Sequence, residues 1–182
     1  APAMPGDFYR HALEAARGAG MRALLVTSGL SASARLPQPL PDWAMRVDYA
    51  PFELVLPHAA ALVHAGGIGT MFRALQSGTP QVVMPQAHDQ ADNAMRLARL
   101  GAARLIPARR FGTRVLHGAL SAAVDGGMRE RARALAVQAN RENGVARACD
   151  EIERMLDAGQ EPMQARQPQA AGHGPGRGAA SS

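Results

Sequence analysis

The sequence predicts an α/β protein built on a doubly wound parallel sheet, and two observations carry that expectation. Short apolar runs of strand length alternate with helical segments between Arg22 and Ile106. Strands that alternate with helices pair in parallel and take helices on both faces. The runs Arg22–Thr27, Ala60–His64 and Gln81–Pro85 also read as buried strands, closed by glycine, serine or proline.

The elements follow in order. Gly6-Asp7, then Phe8, Ala12, Leu13, Ala15 and Ala16, predicts an N-capped helix that ends near Gly18–Gly20. Arg22–Thr27 is the first strand. Residues 31–42 carry three prolines and read as a loop. Arg46–Tyr49 is a brief strand, and Phe52–Leu56 is one helical turn before Pro57. The strand Ala60–His64 runs straight into Ala65-Gly66-Gly67-Ile68-Gly69-Thr70, and a helix follows to about Ser77, stopped by Gly78 and Pro80. Gln81–Pro85 is a strand, Gln90–Leu100 a helix stopped by Gly101, and Arg104–Ile106 the last strand. Helices are then expected over 113–124, 128–140 and 145–156. These elements place one domain at 1–158.

Residues 159–182 hold five glycines, three prolines and no aromatic or branched aliphatic residue. Such a segment cannot bury enough surface to offset its ordering entropy, so a disordered tail is expected. At the other end, a sheet of this kind normally begins with a strand, yet the chain opens on a loop and a helix. Either that first strand lies in a removed segment or the sheet lacks it.

Composition narrows the function classes. A chain of 182 residues has room for one domain with a real core. No apolar run approaches the roughly 20 residues of a membrane helix, and Asp7 and Arg10 interrupt the N-terminal stretch, so no cleavable signal is read. A single cysteine, Cys149, excludes an internal disulfide framework and a cysteine-based zinc site. A reducing, cytoplasmic setting is expected.

The net charge of +5 points less to nucleic acid than it first suggests. All 20 basic residues are arginine, in a chain with 38 alanines, as a coding bias would give. Aromatic residues are only 4%, which leaves few stacking platforms for bases. Six arginines and no acid lie between Arg96 and Arg114; a solvated face is the plainer reading, and no nucleic-acid partner is expected.

Two clusters carry the chemistry. His64–Thr70 sits where a strand ends and a helix starts, the arrangement in which glycines admit an anion close to free amides and the helix dipole favours negative charge. Thr70 adds a hydroxyl. Such turns also serve strand–helix packing alone. The spacing is not that of the dinucleotide fingerprint, and without lysine there is no Walker sequence. The second cluster, Pro85–Asn93, follows the next strand. In open parallel sheets ligands sit beyond the carboxyl ends of the strands, so both clusters can line one crevice. A carboxylate beside amides suits sugar hydroxyls, although Asp89 also fits a helix N-cap and His88 a plain loop residue.

From about Gly6 to Leu156 the chain resembles the C-terminal, donor-binding half of a GT-B-fold family 1 (UDP-glycosyltransferase) enzyme, of the bacterial type that modifies sterols and macrolides. The blocks that carry the resemblance are Asp48–Phe52, Leu56–His58, His64–Thr70, Ser77–Gln81 and Pro85–Asn93, and their order and spacing are more specific than any one of them. The resemblance implies a Rossmann-like domain and a role for each matching position. Tyr49 would stack on the nucleotide base, with Phe52 beside the ribose. Gly66, Gly67, Gly69 and Thr70 would hold the diphosphate, with His64 next to them. Asp89 and Gln90 would bind the donor sugar, with His88 and Asn93 nearby. It further implies transfer of a hexose from a UDP-sugar or TDP-sugar to a lipophilic hydroxyl acceptor, with inversion, no metal and no cofactor.

Three departures qualify these implications. Ala65 stands where the family commonly has a second histidine on the diphosphate. Arg73 stands where an acid or amide often meets the ribose, and a guanidinium cannot accept hydrogen bonds. The acceptor-binding half, with its histidine base, is absent, so no catalytic residue is expected in these 182 residues and no transfer by them alone. Any peripheral membrane association would come through that acceptor half. The alternative reading is a non-catalytic nucleotide- or partner-binding module derived from such an enzyme.

Overall fold

The computed structural model describes residues 7–27, 36, 39–142 and 144–159. The chain divides into two compact units, 1–142 and 143–182. Most of the expected proline-rich loop 31–42, and the expected tail from residue 160, lie outside the described residues.

The first unit opens with α1 (Phe8–Gly18) and β1 (Ala23–Val26), followed by β2 (Ala44–Val47) and the short helix α2 (Phe52–Val55). Then come β3 (Leu62–His64), α3 (Ile68–Gln76), β4 (Gln81–Val83), α4 (Gln90–Arg99) and β5 (Ala103–Leu105). Helices α5 (Thr113–Val124) and α6 (Gly126–Arg141) close it. The second unit contributes α7 (Gly144–Gly159), which leaves Val145, Ile152, Met155 and Leu156 exposed along with the free thiol of Cys149. No described helix is long and apolar enough to cross a membrane.

Every expected element is present, and one boundary shift matters for function. The second strand covers Ala44–Val47 rather than 46–49, because its register against β1 runs from Ala23↔Ala44 to Val26↔Val47. Asp48 and Tyr49 therefore lie past the carboxyl end of the strand instead of within it.

Among the described residues all strand pairing is parallel. The strands form two sheets, β1-β2 and β3-β4-β5. A doubly wound sheet of the order 3-2-1-4-5-6 contains these two pieces, 3-2 and 4-5-6, on either side of its first strand. Only Asp7 is described ahead of α1, so the expectation about that first strand falls outside the described residues.

Helices cover both faces of the larger sheet. On β4 the alternation of side chains sends Val82 one way and Val83 the other, and both are fully buried. Val82 packs with Ala15 of α1, Leu116 and Leu120 of α5, and Ile106. Val83 packs with Ala94 and Leu97 of α4 and Ala132 and Leu135 of α6. A third cluster, Phe8, Tyr9 and Leu13 of α1 with Leu25 of β1 and Met84, joins the two sheets beneath α1. Burial raises the pKa of Tyr9 despite the opposing field of Arg46. At the end of α3, Gly78 adopts φ +67° and donates to Leu75 O, turning the chain into β4.

Candidate functional site

The carboxyl end of β3 is where the chemistry-bearing residues gather. His64, the last residue of β3, is buried, and its Nε2 donates to Gln81 Oε1 at 2.8 Å. Gln81 in turn donates to Met71 O at 3.2 Å. The other ring nitrogen, Nδ1, accepts the N–H of Gly66 at 3.1 Å. One nitrogen donates and the other accepts, so the ring is neutral. Burial holds its pKa down to about 4, only partly opposed by the bond to Gln81. His64 is thus a brace beneath the turn, tying β3 to β4 and α3, rather than a cation facing a ligand.

Gly66 has φ +93°, and a Cβ built there would lie 2.9 Å from Val83 Cγ1 and 3.2 Å from Gln90 O. Only glycine fits both the conformation and the space. Gly67 and Gly69 differ: nothing lies within 4 Å of a Cβ on either. Gly67 caps α3, and its carbonyl accepts the first helical bond, from Met71 N–H at 3.0 Å. The amides of Ile68, Gly69 and Thr70 therefore precede the helical ladder, and no side chain caps the helix. Ile68 and Gly69 are exposed and Thr70 half-buried. Open amides at a helix N-terminus beyond a strand's carboxyl end are an arrangement that can receive an anion.

The second cluster is tied to the first by Asn93. Its Nδ2 donates to Gly66 O at 3.3 Å and to Asp89 Oδ2 at 2.6 Å. Asp89 is exposed at the N-terminal end of α4, yet it does not cap that helix with its side chain. Its carboxylate stands beside the glycine turn instead. Gln90 is buried, and its Oε1 accepts the backbone N–H groups of Gln86 at 2.8 Å and Ala87 at 3.2 Å. That carbonyl shapes the 86–90 loop. His88 sits at the exposed crest of the same loop with φ 56°.

The remaining expected residues are less closely gathered. Tyr49 is 75% exposed beyond β2, and Phe52 is half-buried at the start of α2. Arg73 is exposed on α3. Among the described residues no group of three or more His, Cys, Asp or Glu could hold a metal. The six arginines from Arg96 to Arg114 are exposed, as the solvated-face reading expects, and Arg96 pairs with Asp92 at 2.7 Å.

Two features were not drawn from the sequence. Gln81 carries the histidine brace, and the only hint was a glutamine opening an otherwise apolar strand. At the ends of β1 and β2, buried Thr27 accepts from Arg46 Nε at 2.9 Å and lies 3.2 Å from both Val47 O and Asp48 Oδ1. That network fixes the chain immediately before Tyr49. It joins residues 19 to 21 positions apart, so no local pattern signals it.

A doubly wound fold with an open helix N-terminus and a carboxylate at the strand ends belongs to the broad class of open α/β folds, whose ligands sit at the sheet's switch point. The particular family is evident from comparison with known proteins. Residues 25–157 match the erythromycin biosynthesis protein CIII-like C-terminal domain model, and the chain belongs to that family. It is 40% identical over 153 residues to O-mycaminosyltylonolide 6-deoxyallosyltransferase of Streptomyces fradiae, covering 83% of this chain and 35% of that protein. Among solved structures it is similar to the glycotransferase of kitacinnamycin, at 31% identity and TM-score 0.70 over 85% of this chain and 40% of the other. It is also similar to the calicheamicin glycosyltransferase CalG4, at 26% identity and TM-score 0.69 over 87% and 41%. The fold is the C-terminal half of the GT-B architecture. The chain thus spans about 35–41% of these relatives.

Proposed function

We propose that this chain supplies the nucleotide-sugar donor site of an inverting glycosyltransferase whose acceptor site lies in another half of the enzyme. The observation that carries the reading is the hydrogen-bonded link from the glycine turn through Asn93 to Asp89, which sets an anion site and a sugar-binding carboxylate side by side. The N-terminal amides of α3 receive the donor diphosphate. Asp89 accepts from hydroxyls of the sugar, Tyr49 stacks on the base, and Phe52 lies beside the ribose. His88 and Arg73 border the site.

The reaction is a direct displacement. The acceptor oxygen forms a bond to the anomeric carbon as the bond from that carbon to the diphosphate oxygen breaks. The hydroxyl proton passes to a base in the acceptor half, and the diphosphate leaves with the electron pair. Charge grows on the diphosphate as it leaves, and the amides and dipole of α3 stabilise it most at that point. The displacement as written uses neither a metal nor a cofactor. The acceptor is a lipophilic alcohol, and the donor is a UDP- or TDP-hexose. The relative from Streptomyces fradiae is named for a 6-deoxyallosyl group, so TDP-linked 6-deoxyhexoses join UDP-glucose as first donors to try.

Calorimetric titration of the 182-residue chain tests the donor site. Saturable binding of one of these donors, weakened at least about tenfold by Asp89→Ala while UDP or TDP alone binds unchanged, is the expected result. Absence of binding to the folded chain overturns it in favour of a non-catalytic module.

A further inference from the structure

The glycine turn offers a ligand no charged group of its own. His64 is neutral, with both ring nitrogens occupied inside the fold. Ala65 carries no polar side chain, and Thr70 adds only an uncharged hydroxyl. Two carboxylates, Asp89 and Asp92, stand at the start of α4. From His64 to Asn93 the sole arginine is Arg73, and the chain has no lysine. We propose that Arg73 supplies the missing charge, its guanidinium folding back over the first turn of α3 to hold the donor phosphate next to the ribose. This role rests on the donor-site reading above.

Helix geometry places the side chain. Arg73 follows Gly69 by four residues and Thr70 by three, so these positions share one face of α3. That face is open, with Gly69 and Arg73 exposed and Thr70 half-buried. The opposite face is packed: Ala74 is fully buried, and Met71 and Leu75 lie against the core around Val83. Along the axis Arg73 stands only about 6 Å beyond Gly69, a span its stem can cover. Helical side chains lean toward the N-terminus and cover the turn before their own Cα. The stem therefore runs toward the open amides and not away from them.

The guanidinium is also free to act. Among the described residues it makes no hydrogen bond or ion pair. Arg10, Arg46, Arg96 and Arg154 each have a carboxylate partner, and Arg129 and Arg131 hold backbone carbonyls. Its planar fork of donors matches a pair of phosphate oxygens, whereas it has nothing to accept from a ribose hydroxyl. Thr70 and Phe52 line one groove, so a nucleoside seated on Tyr49 and Phe52 meets this face of α3. Asp89 is tied to Gly66 O through Asn93 instead. Arg73 thus serves the phosphate beside the ribose, and Asp89 the sugar on the other phosphate.

Calorimetric titration of the 182-residue chain at low salt tests this, with inorganic pyrophosphate, UDP and TDP as probes. Arg73→Gln should weaken all three about tenfold or more and make UDP binding less sensitive to salt. The thermal melt should not move, because the side chain is exposed and unpaired. Arg73→Lys should recover part of the loss, and Arg99→Gln, at an exposed position on α4, should change nothing. Unaltered pyrophosphate affinity in Arg73→Gln overturns the proposal, as does an equal loss in Arg99→Gln. So does an Arg73→Glu variant that gains for UDP over TDP with pyrophosphate unchanged, since that places residue 73 at the ribose 2′-hydroxyl. The two readings fail separately. Donor binding that Asp89→Ala weakens and Arg73→Gln does not removes Arg73 alone. Pyrophosphate binding that needs Arg73 but gains nothing from an attached nucleoside or sugar overturns the donor site while supporting Arg73 as a phosphate contact.

Discussion

His64 Nε2 donates to Gln81 Oε1 across 2.8 Å, and this buried bond fixes the floor on which the glycine turn is built. With Gly66 N–H donating to Nδ1, the imidazole is satisfied only in its neutral form. Protonation would place a hydrogen on Nδ1 against the Gly66 amide and a charge in a buried position.

Stability should therefore fall in mild acid. The folded pKa of His64 is about 4 against an ordinary 6.5, so between those values the unfolded chain binds more protons than the folded one. The contribution of neutral His64 is fully present above pH 6.5 and is lost as pH falls toward 4, by about 3 kcal/mol at most. Glu14, whose carboxyl is held below its usual range by Thr113 and then Arg10, loses in the same direction but over a more acid range. Urea melts of wild type and His64→Asn at pH 7.5 and 5 separate the two. The wild type should lose markedly more, and equal losses would remove His64 as the cause.

The glycines of the turn should divide by mutation. Gly66→Ala meets Val83 Cγ1 at 2.9 Å in a left-handed backbone, and should cost about 3 kcal/mol from strain and overpacking together. Gly69→Ala enters open space inside a helix, and should leave thermal stability within about 1 kcal/mol or raise it. Any loss of UDP or TDP affinity in Gly69→Ala then reports on the anion site alone. Thermal melts and titrations of the two variants decide the matter; similar destabilisation by both would contradict the division.

Much of this was legible because the decisive signals are local. Alternating apolar runs and helices, bounded by residues such as Gly78 and Pro80, give every element from α1 to α7 to within a few residues. The glycine turn and the Asp89 loop stand out for the same reason, as short polar interruptions between apolar runs. What stayed hidden depends on distant partners. The sequence marks Gln90 as a sugar ligand by resemblance, but only the fold reveals that its carbonyl holds the amides of Gln86 and Ala87. Likewise the split between β1 and β3 follows from strand order, which no local pattern encodes.

A buried side-chain cap also holds the approach to β3. Thr79 Oγ1 donates to Leu56 O at 2.6 Å, and both residues are buried. Thr79→Val keeps the shape and removes one of the two bonds to that carbonyl, which still accepts from Ala59 N–H at 3.0 Å, so it should cost about 1 kcal/mol. Thr79→Ser retains the donor and should recover most of it. Chemical denaturation of the pair checks this, and a serine variant no better than valine would assign the effect to the methyl group.

Asn93 offers the sharpest separation of the two clusters, because one amide group reaches both. Its Nδ2 holds Asp89 Oδ2 at 2.6 Å on the solvent side and Gly66 O at 3.3 Å on the other. The bond to Asp89 is short and charge-assisted, so it fixes where the carboxylate points. The longer bond to Gly66 contributes less to the turn, whose shape His64 and the packing of Gly66 already set. Asn93→Ala should therefore cost only about 1 kcal/mol of stability. Affinity for the sugar nucleotide should fall about tenfold, with that for free UDP or TDP nearly unchanged. Titration of the variant with each ligand distinguishes the cases, since an equal fall for both would place the role of Asn93 in the turn and not in aiming Asp89.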